Sequence, residues 1–296
     1  MYNINEILCK HINKEPKLEN VYHYSGSEAM LNILKGNSIH MSLISLQNDL
    51  LEIKHTISLL EEMKDDISNI INDDVILKDF NTEIKNYKRY LERKSRVYTF
   101  SVSNKSDSLT CWSEYTNKLG YCIGINFDKI NKQIENFCED NKMIAWLCGN
   151  VIYDPKEQKK ILKLVIKKLS EEVKGKRHPK STEIIGDFVV AIYFLSYFMK
   201  CEALVEEDEY RFVIHTSDNI PVYFKNKQNI TIPYIIVDGD FSDCYREIII
   251  GPLEKRFTKE SLKLYLKHEL NEKNEKMYKL NVEDINIDYS RIKYRW

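Results

Sequence analysis

The sequence predicts an α+β fold built on a mixed, mainly antiparallel sheet with helical insertions, and three observations carry that reading. Short apolar or alternating runs such as "RVYTFSVS", "GYCIGINF" and "YRFVIH" recur along the chain, bounded by polar turns. Between them lie longer stretches whose apolar residues return every three or four positions, as on one face of a helix. Strands and helices do not alternate regularly as βαβ units, which argues against a doubly wound parallel sheet. Without an internal repeat or a Gly-, Pro- or Ser-rich linker, residues 1–296 read as a single domain.

Taken in order, a first strand at Val21–Tyr24 leads into "SGSEAMLNILKG". Ser25 or Ser27 caps this short helix, Met30, Leu31 and Leu34 form its apolar face, and Gly36 ends it. "SIHMSL" is the second strand. From Leu50 to Arg96 the pattern is helical and polar, a helical hairpin turning near Asn72–Asp74 and inserted at about 50–96. Strands follow at 96–103, 120–127 and 143–153, with an amphipathic helix at Asp128–Glu139. A helical segment at about 156–200 holds two helices, Lys156–Val173 and Thr182–Lys200, parted by the breaker "GKRHPK". Strands at Tyr210–His215, Pro221–Phe224, Ile230–Val237 and Glu247–Gly251 come next. A helix at Thr258–Leu270 and a strand near Asp284–Tyr289 close the chain.

Composition narrows the function classes. A formal net charge of −1 gives no global field toward nucleic acid or membrane. The seven cysteines are scattered, odd in number and never spaced C-x-x-C, which points to a reduced, cytoplasmic protein without a zinc site. No secretory signal is visible at the N-terminus, and the most apolar run, Phe188–Met199, is too short to span a bilayer. Phosphate-loop, dinucleotide-fingerprint, nucleophile-elbow and H-E-x-x-H motifs are all absent.

Four local features remain, each with a plainer reading beside the functional one. In "VYHYSG", His23 and Tyr24 sit at a strand end before a helix; a satisfied structural histidine is the plainer reading. "SDSLTCWSEYTNKLGYCIGINF" sets Trp112, Tyr115 and Tyr121 around a polar loop, where core packing competes with a ligand pocket. "LVEEDEYRFVIH" puts four acids ahead of a strand, either a solvated entrance or a site. On a strand, Glu207 and Glu209 share a face and Asp208 points away. The basic stretch 156–180 keeps helical apolar spacing, so its charges read as a solvated face more readily than as a patch for nucleic acid or a protein acceptor.

Together, "VYHYSGSEAMLNILKGNSIHMS", "LISLQNDLLE", "YTFSVSNKSDSLTCWSEYTNKLGYCIGINF", "MKCEALVEEDEYRFVI", "YREIIIGPL" and "YSRIKYRW" resemble the successive blocks of domain-of-unknown-function family 2971. The pattern falls on His23 and Tyr24, on Asn48, Asp49 and Glu52, on Trp112, Tyr115, Gly120 and Gly124, on Glu207, Glu209 and Arg211, on Gly251 and Pro252, and on Ser290, Tyr294 and Arg295. Tyr210 stands where a Trp is usual, and Cys201–Glu202 where His-Pro is usual. The order of elements is also similar to that of ADP-ribosyltransferases. That resemblance implies NAD as substrate and an oxocarbenium-like transition state at the ribose, in a toxin or phage-defence effector. It implies Glu209 as the catalytic acid with Glu207 assisting, and NAD held by His23, Tyr24, Ser101, Trp112, Tyr115, Tyr121 and Arg211. A non-catalytic nucleotide- or nucleic-acid-sensing module is the alternative. So is a Mg-dependent nuclease using Asp49, Glu52, Glu207 and Glu209.

Overall fold

The computed structural model describes residues 4–12, 14–44, 52–94, 96–176, 179–217, 219–227, 230–253, 258–268 and 285–293. The elements begin with α1 (Ile4–His11), β1 (Asn20–Ser25), α2 (Ser27–Gly36), β2 (Ser38–Leu43), α3 (Glu52–Glu62), α4 (Lys64–Ile71) and α5 (Asp74–Lys94). They continue with β3 (Val97–Ser103), α6 (Leu109–Thr116), β4 (Tyr121–Asn126), α7 (Phe127–Asp140), β5 (Ala145–Asn150), α8 (Pro155–Val173) and α9 (Lys180–Ser196). After a 3-10 turn at Glu202–Glu207 come β6 (Glu209–His215), β7 (Tyr223–Lys227), β8 (Ile230–Asp238), β9 (Tyr245–Ile250), α10 (Thr258–Tyr265) and β10 (Asn286–Tyr289). The fold is thus α+β with a mostly antiparallel sheet.

The chain divides into two compact units, one made of Met1–Glu15, Leu43–Val97 and Leu147–Val205, the other of Pro16–Ser42, Tyr98–Trp146 and Glu206–Trp296. Of its five changeovers between the units, the chain makes one at Glu15–Pro16 outside regular structure and the other four at the end of β2, the start of β3, within β5 and within the 3-10 turn. Both expected helical segments, 50–96 and 156–200, contribute to the first unit.

The first unit is helical, and α9 is its centre. Phe188, Val189, Ala191, Ile192 and Leu195 of this helix are all buried, and it packs against α1, α3, α5 and α8. Only a narrow stripe with Lys180, Glu183 and Asp187 stays exposed, so most of the helix surface needs neighbours. Tyr193 packs tilted on Tyr87 of α5 with ring centroids 4.3 Å apart and donates to the Ile84 carbonyl at 3.0 Å. Asp154 caps α8 by accepting from Lys156 N, with Pro155 at the first helical position. Ile161, Leu162, Val165 and Leu169 bury the inner face of α8. Its outer lysines meet acids: Lys159 with Glu62 at 2.6 Å, Lys163 with Asp66 at 2.7 Å, Lys168 with Glu171 and Lys176 with Glu172. Four of the ten basic residues of 156–180 thus pair with acids; Arg177 lies outside the described residues. The expected hairpin is three helices, because the chain breaks at Met63 as well as at Asn72, which ends α4 in the left-handed region at φ 44°.

The second unit carries the sheet, whose strands run β10-β9-β4-β1-β3-β2-β8-β7, with β6 also paired to β3. β1 opposes β4 with His23 across from Ile123, and opposes β3 with Tyr22 across from Ser103, both antiparallel. β4–β9, β2–β8 and β7–β8 are antiparallel too, while β10 joins β9 in parallel. Two local expectations change. The segment read as a polar loop around Trp112 is the helix α6, capped by Ser108, whose hydroxyl accepts from Cys111 N at 3.4 Å. At α2 the N-cap is Gly26, without a side-chain cap, and Asn37 rather than Gly36 takes the left-handed closing position at φ 46°.

Candidate functional site

Each of the four consecutive acids has its own partner. Glu206, exposed, takes Lys105 Nζ at 2.8 Å. Asp208 takes Lys17 Nζ at 2.7 Å and Asn104 Nδ2 at 3.3 Å. Glu207 accepts the Tyr115 hydroxyl at 2.9 Å. Glu209 accepts Arg211 through both oxygens, from Nε at 2.6 Å and from Nη2 at 2.9 Å. Repulsion between neighbouring carboxylates is thereby offset one by one, with the outer pair compensated at the surface and the inner pair inside the protein. Glu207 is 6% exposed, Glu209 4% and Arg211 1%.

Strand alternation does not explain how Glu207 and Glu209 come together. Glu207 ends the 3-10 turn, and Asp208 adopts φ 44°, a left-handed conformation that Asp tolerates better than most residues. That kink is pinned from β3 and α6. Asn104 N donates to the Asp208 carbonyl at 2.8 Å, and Ser103 Oγ donates to the Glu207 carbonyl at 2.7 Å. Cys111 Sγ approaches the same carbonyl at 3.8 Å. Regular alternation starts at Glu209 and sets Arg211 on its face.

Tyr115 ties the two acids into one cluster. Its phenol is pushed well above the ordinary tyrosine range, by burial first and then by the charges of Glu209 and Glu207. The phenol therefore keeps its proton and serves as a fixed donor. It belongs to an apolar cluster of Tyr22, Tyr24, Cys111, Trp112, Cys122 and Ile249. Trp112 is fully buried, meets Tyr24 edge-on at 4.9 Å and donates from Nε1 to Asp107 at 2.7 Å. The Tyr24 hydroxyl is committed on both sides, donating to the Lys105 carbonyl and accepting from Ser108 N.

The predicted site residues divide between the two faces of the sheet. His23 lies against Phe100 at 4.6 Å, Phe100 faces Phe212, and Phe127 meets both Phe212 and Tyr210. These residues mark one face. Successive strand residues point to opposite sides, so Ser101, Glu209 and Arg211 lie on the other, with Tyr24, Trp112 and Tyr115. Tyr121 pairs with Ser25 across β1 and β4 and shares the His23 face. The structure thus brings Tyr24, Ser101, Trp112, Tyr115, Glu207, Glu209 and Arg211 to one side and leaves His23 and Tyr121 on the other. His23 Nδ1 lies 3.0 Å from the Ser101 carbonyl, which can only accept, so the proton sits on Nδ1.

The cluster face offers two carboxylates, a phenol held as donor, a guanidinium and the buried Ser101 hydroxyl, which has no hydrogen-bond partner. Two cavities of about 310 and 350 Å³ lie against α7 and the 238–244 turn, and none of the predicted site residues lines them. Among the described residues no three His, Cys, Asp or Glu side chains group to hold a metal ion. No helix of the described residues is long and apolar enough to cross a membrane. Asn48, Asp49, Tyr294 and Arg295 lie outside the described residues. Sequence reasoning missed Ser103, Asn104 and Asp107, which orient the cluster. Their signal was the capped-helix pattern, Ser108 followed by Leu109, Trp112 and Tyr115 at helical spacing.

Residues 111–212 match the model of a family described as Protein of unknown function (DUF2971). That span contains Trp112, Tyr115, Tyr121, Glu207, Glu209 and Arg211. No curated protein and no solved structure matches the chain.

Proposed function

We propose that the second unit is an NAD-dependent ADP-ribosyltransferase-like enzyme whose reacting groups are the carboxylates on the Tyr115 face. The observation that supports this most is that one part-buried phenol is hydrogen-bonded to Glu207 and feels the charge of Glu209, so two acids converge on one point. In the reaction, the nicotinamide–ribose bond breaks and its electron pair leaves with nicotinamide. Positive charge develops at the ribose, and a carboxylate in a poorly hydrated setting stabilises it strongly. The acceptor's oxygen or nitrogen then bonds to the ribose and gives its proton to the second carboxylate. Arg211 orients Glu209 through two hydrogen bonds, while Tyr115 orients Glu207. Ser101, with an unused hydroxyl on the same face, is the donor or acceptor for a ribose hydroxyl. His23 and Tyr121 lie on the opposite face of the sheet and make no contact with the reacting groups in this reading.

The test is incubation of pure protein with NAD and protein, DNA or RNA acceptors, reading free nicotinamide by chromatography and adducts by mass spectrometry. Release that is lost in Glu207→Gln and Glu209→Gln supports the proposal. No release with any acceptor, or full activity in both variants, removes it. A second reading, nucleotide sensing without turnover, is favoured by the commitment of both Glu209 oxygens to Arg211. Calorimetric NAD binding without nicotinamide release would select it.

A further inference from the structure

The carboxylates Glu207 and Glu209 are buried, and a segment 80 or so residues downstream is fastened to the aromatic cluster against which Tyr115, the partner of Glu207, also packs. Asp107 holds that fastening. Its Oδ1 accepts from Trp112 Nε1 and from Ser290 Oγ, both at 2.7 Å, and its Oδ2 accepts from Arg291 N at 2.7 Å. Ser290 N donates to the Ile250 carbonyl at 2.8 Å, and Ser290 Oγ accepts from Ile292 N at 3.1 Å. Ile292 packs on the Tyr24–Trp112 cluster to which Tyr115 also belongs. One carboxylate therefore joins α6 to the stretch after β10, 183 residues apart in sequence for the Ser290 bond.

We infer that residues 290–292 form a strap over the Trp112–Tyr115 cluster, and that Asp107 is the positioning residue that keeps it closed. This rests on reading Glu207 and Glu209 as the reacting pair, to which the strap regulates access. The fastening is well placed for release. Arg291 is exposed, the strap enters from the short strand β10 at the sheet edge, and its side-chain hydrogen bonds to the turn before α6 converge on Asp107, with Ile292 adding an apolar contact. Trp112 is positioned by the same carboxylate. Tyr115 follows one turn later on α6, so loosening Asp107 shifts strap and phenol together.

Cys111 gives a readout that does not depend on activity. It is buried in the same cluster, and burial pushes its thiol up, so it labels slowly when the strap is closed. Cys244 is buried elsewhere in the unit and serves as control. The experiment measures N-ethylmaleimide labelling of each cysteine by peptide mapping, with hydrogen exchange at 286–293, in wild type, Asp107→Ala and Ser290→Ala. Local release predicts about tenfold faster labelling of Cys111 in Asp107→Ala, a smaller rise in Ser290→Ala, faster exchange at 290–292, and Cys244 unchanged. Unchanged Cys111, or a rise shared equally with Cys244, overturns the strap. If Asp107→Ala does not fold, Ser290→Ala alone decides. Nicotinamide release with no change in Cys111 would refute the strap and leave the transferase standing. Local release without any NAD turnover would do the reverse.

Discussion

Replacing Arg211 by methionine leaves the Glu209 carboxylate in a site 4% exposed and without its two-pronged partner. Methionine fills much of the arginine stem's volume, so the loss is dominated by charge. Breaking a buried pair from one side costs about 3–5 kcal/mol, because the remaining ion has given up its hydration for nothing. The Lys105–Glu206 pair supplies the internal control. Its side chains are 37% and 69% exposed, and Lys105→Met should cost no more than about 1 kcal/mol. Tryptophans 112, 146 and 296 all belong to the second unit, so urea unfolding followed by tryptophan fluorescence reports that unit alone. A loss in Arg211→Met as small as in Lys105→Met would refute the claim that the ion pair is desolvated.

Alkaline pH should weaken the second unit through Tyr22, whose phenol is pushed up to about 12 by burial and by Glu247, to which it donates at 3.1 Å. The unfolded chain ionises this phenol near its ordinary value of 10. The stabilising contribution is therefore complete below pH 10 and disappears as pH rises to about 12. Tyr22→Phe should make the fall across that window shallower by one phenol's share, the desolvated phenols of Tyr24, Tyr115 and Tyr245 supplying the rest. Gly120 sits at φ +85°, and a Cβ would stand 2.6 Å from the Ser25 carbonyl, so Gly120→Ala should cost at least about 1–3 kcal/mol in the urea assay. Gly186, inside α9 with open space around it, should behave oppositely, Gly186→Ala raising the first unit's stability by about 0.5–1 kcal/mol by circular dichroism. His23→Ala should keep at least half of any nicotinamide release, since its ring lies on the face away from Glu209; complete loss would return His23 to the site.

The strands were legible because period-two alternation and apolar runs are local signals, and β1, β2, β3, β4, β6 and β8 start within a residue or so of where the sequence sets them. The sidedness of the site was not. Which face a strand residue takes is local, but which faces coincide across β1, β3 and β6 depends on register, a long-range property. His23 and Glu209 thus look like partners in a linear order and are separated by the sheet itself. The acid run failed differently. The sequence predicts even alternation from Glu206 onward, whereas Asp208 takes a left-handed turn fixed by Asn104 and Ser103, residues more than a hundred positions away. The Ser108 cap and the spacing that follows it specify α6, whereas the density of aromatic residues in the same stretch is equally compatible with a pocket.

A buried Glu209–Arg211 pair is a poor way to gain stability, because leucines of similar reach fill such space without desolvating two ions. If the pair served packing alone, Glu209→Leu combined with Arg211→Leu would be harmless in every assay. On the reading advanced here the double variant should recover most of the 3–5 kcal/mol lost in Arg211→Met, since neither charge is left stranded. It should nevertheless release no nicotinamide and bind NAD no better than Glu209→Gln does. The measurement pairs urea unfolding with nicotinamide chromatography on one preparation. A double variant as unstable as Arg211→Met would show that other polar groups depend on these two ions. A stable double variant with wild-type turnover would remove the carboxylate from the chemistry and leave the pair a purely structural feature of β6.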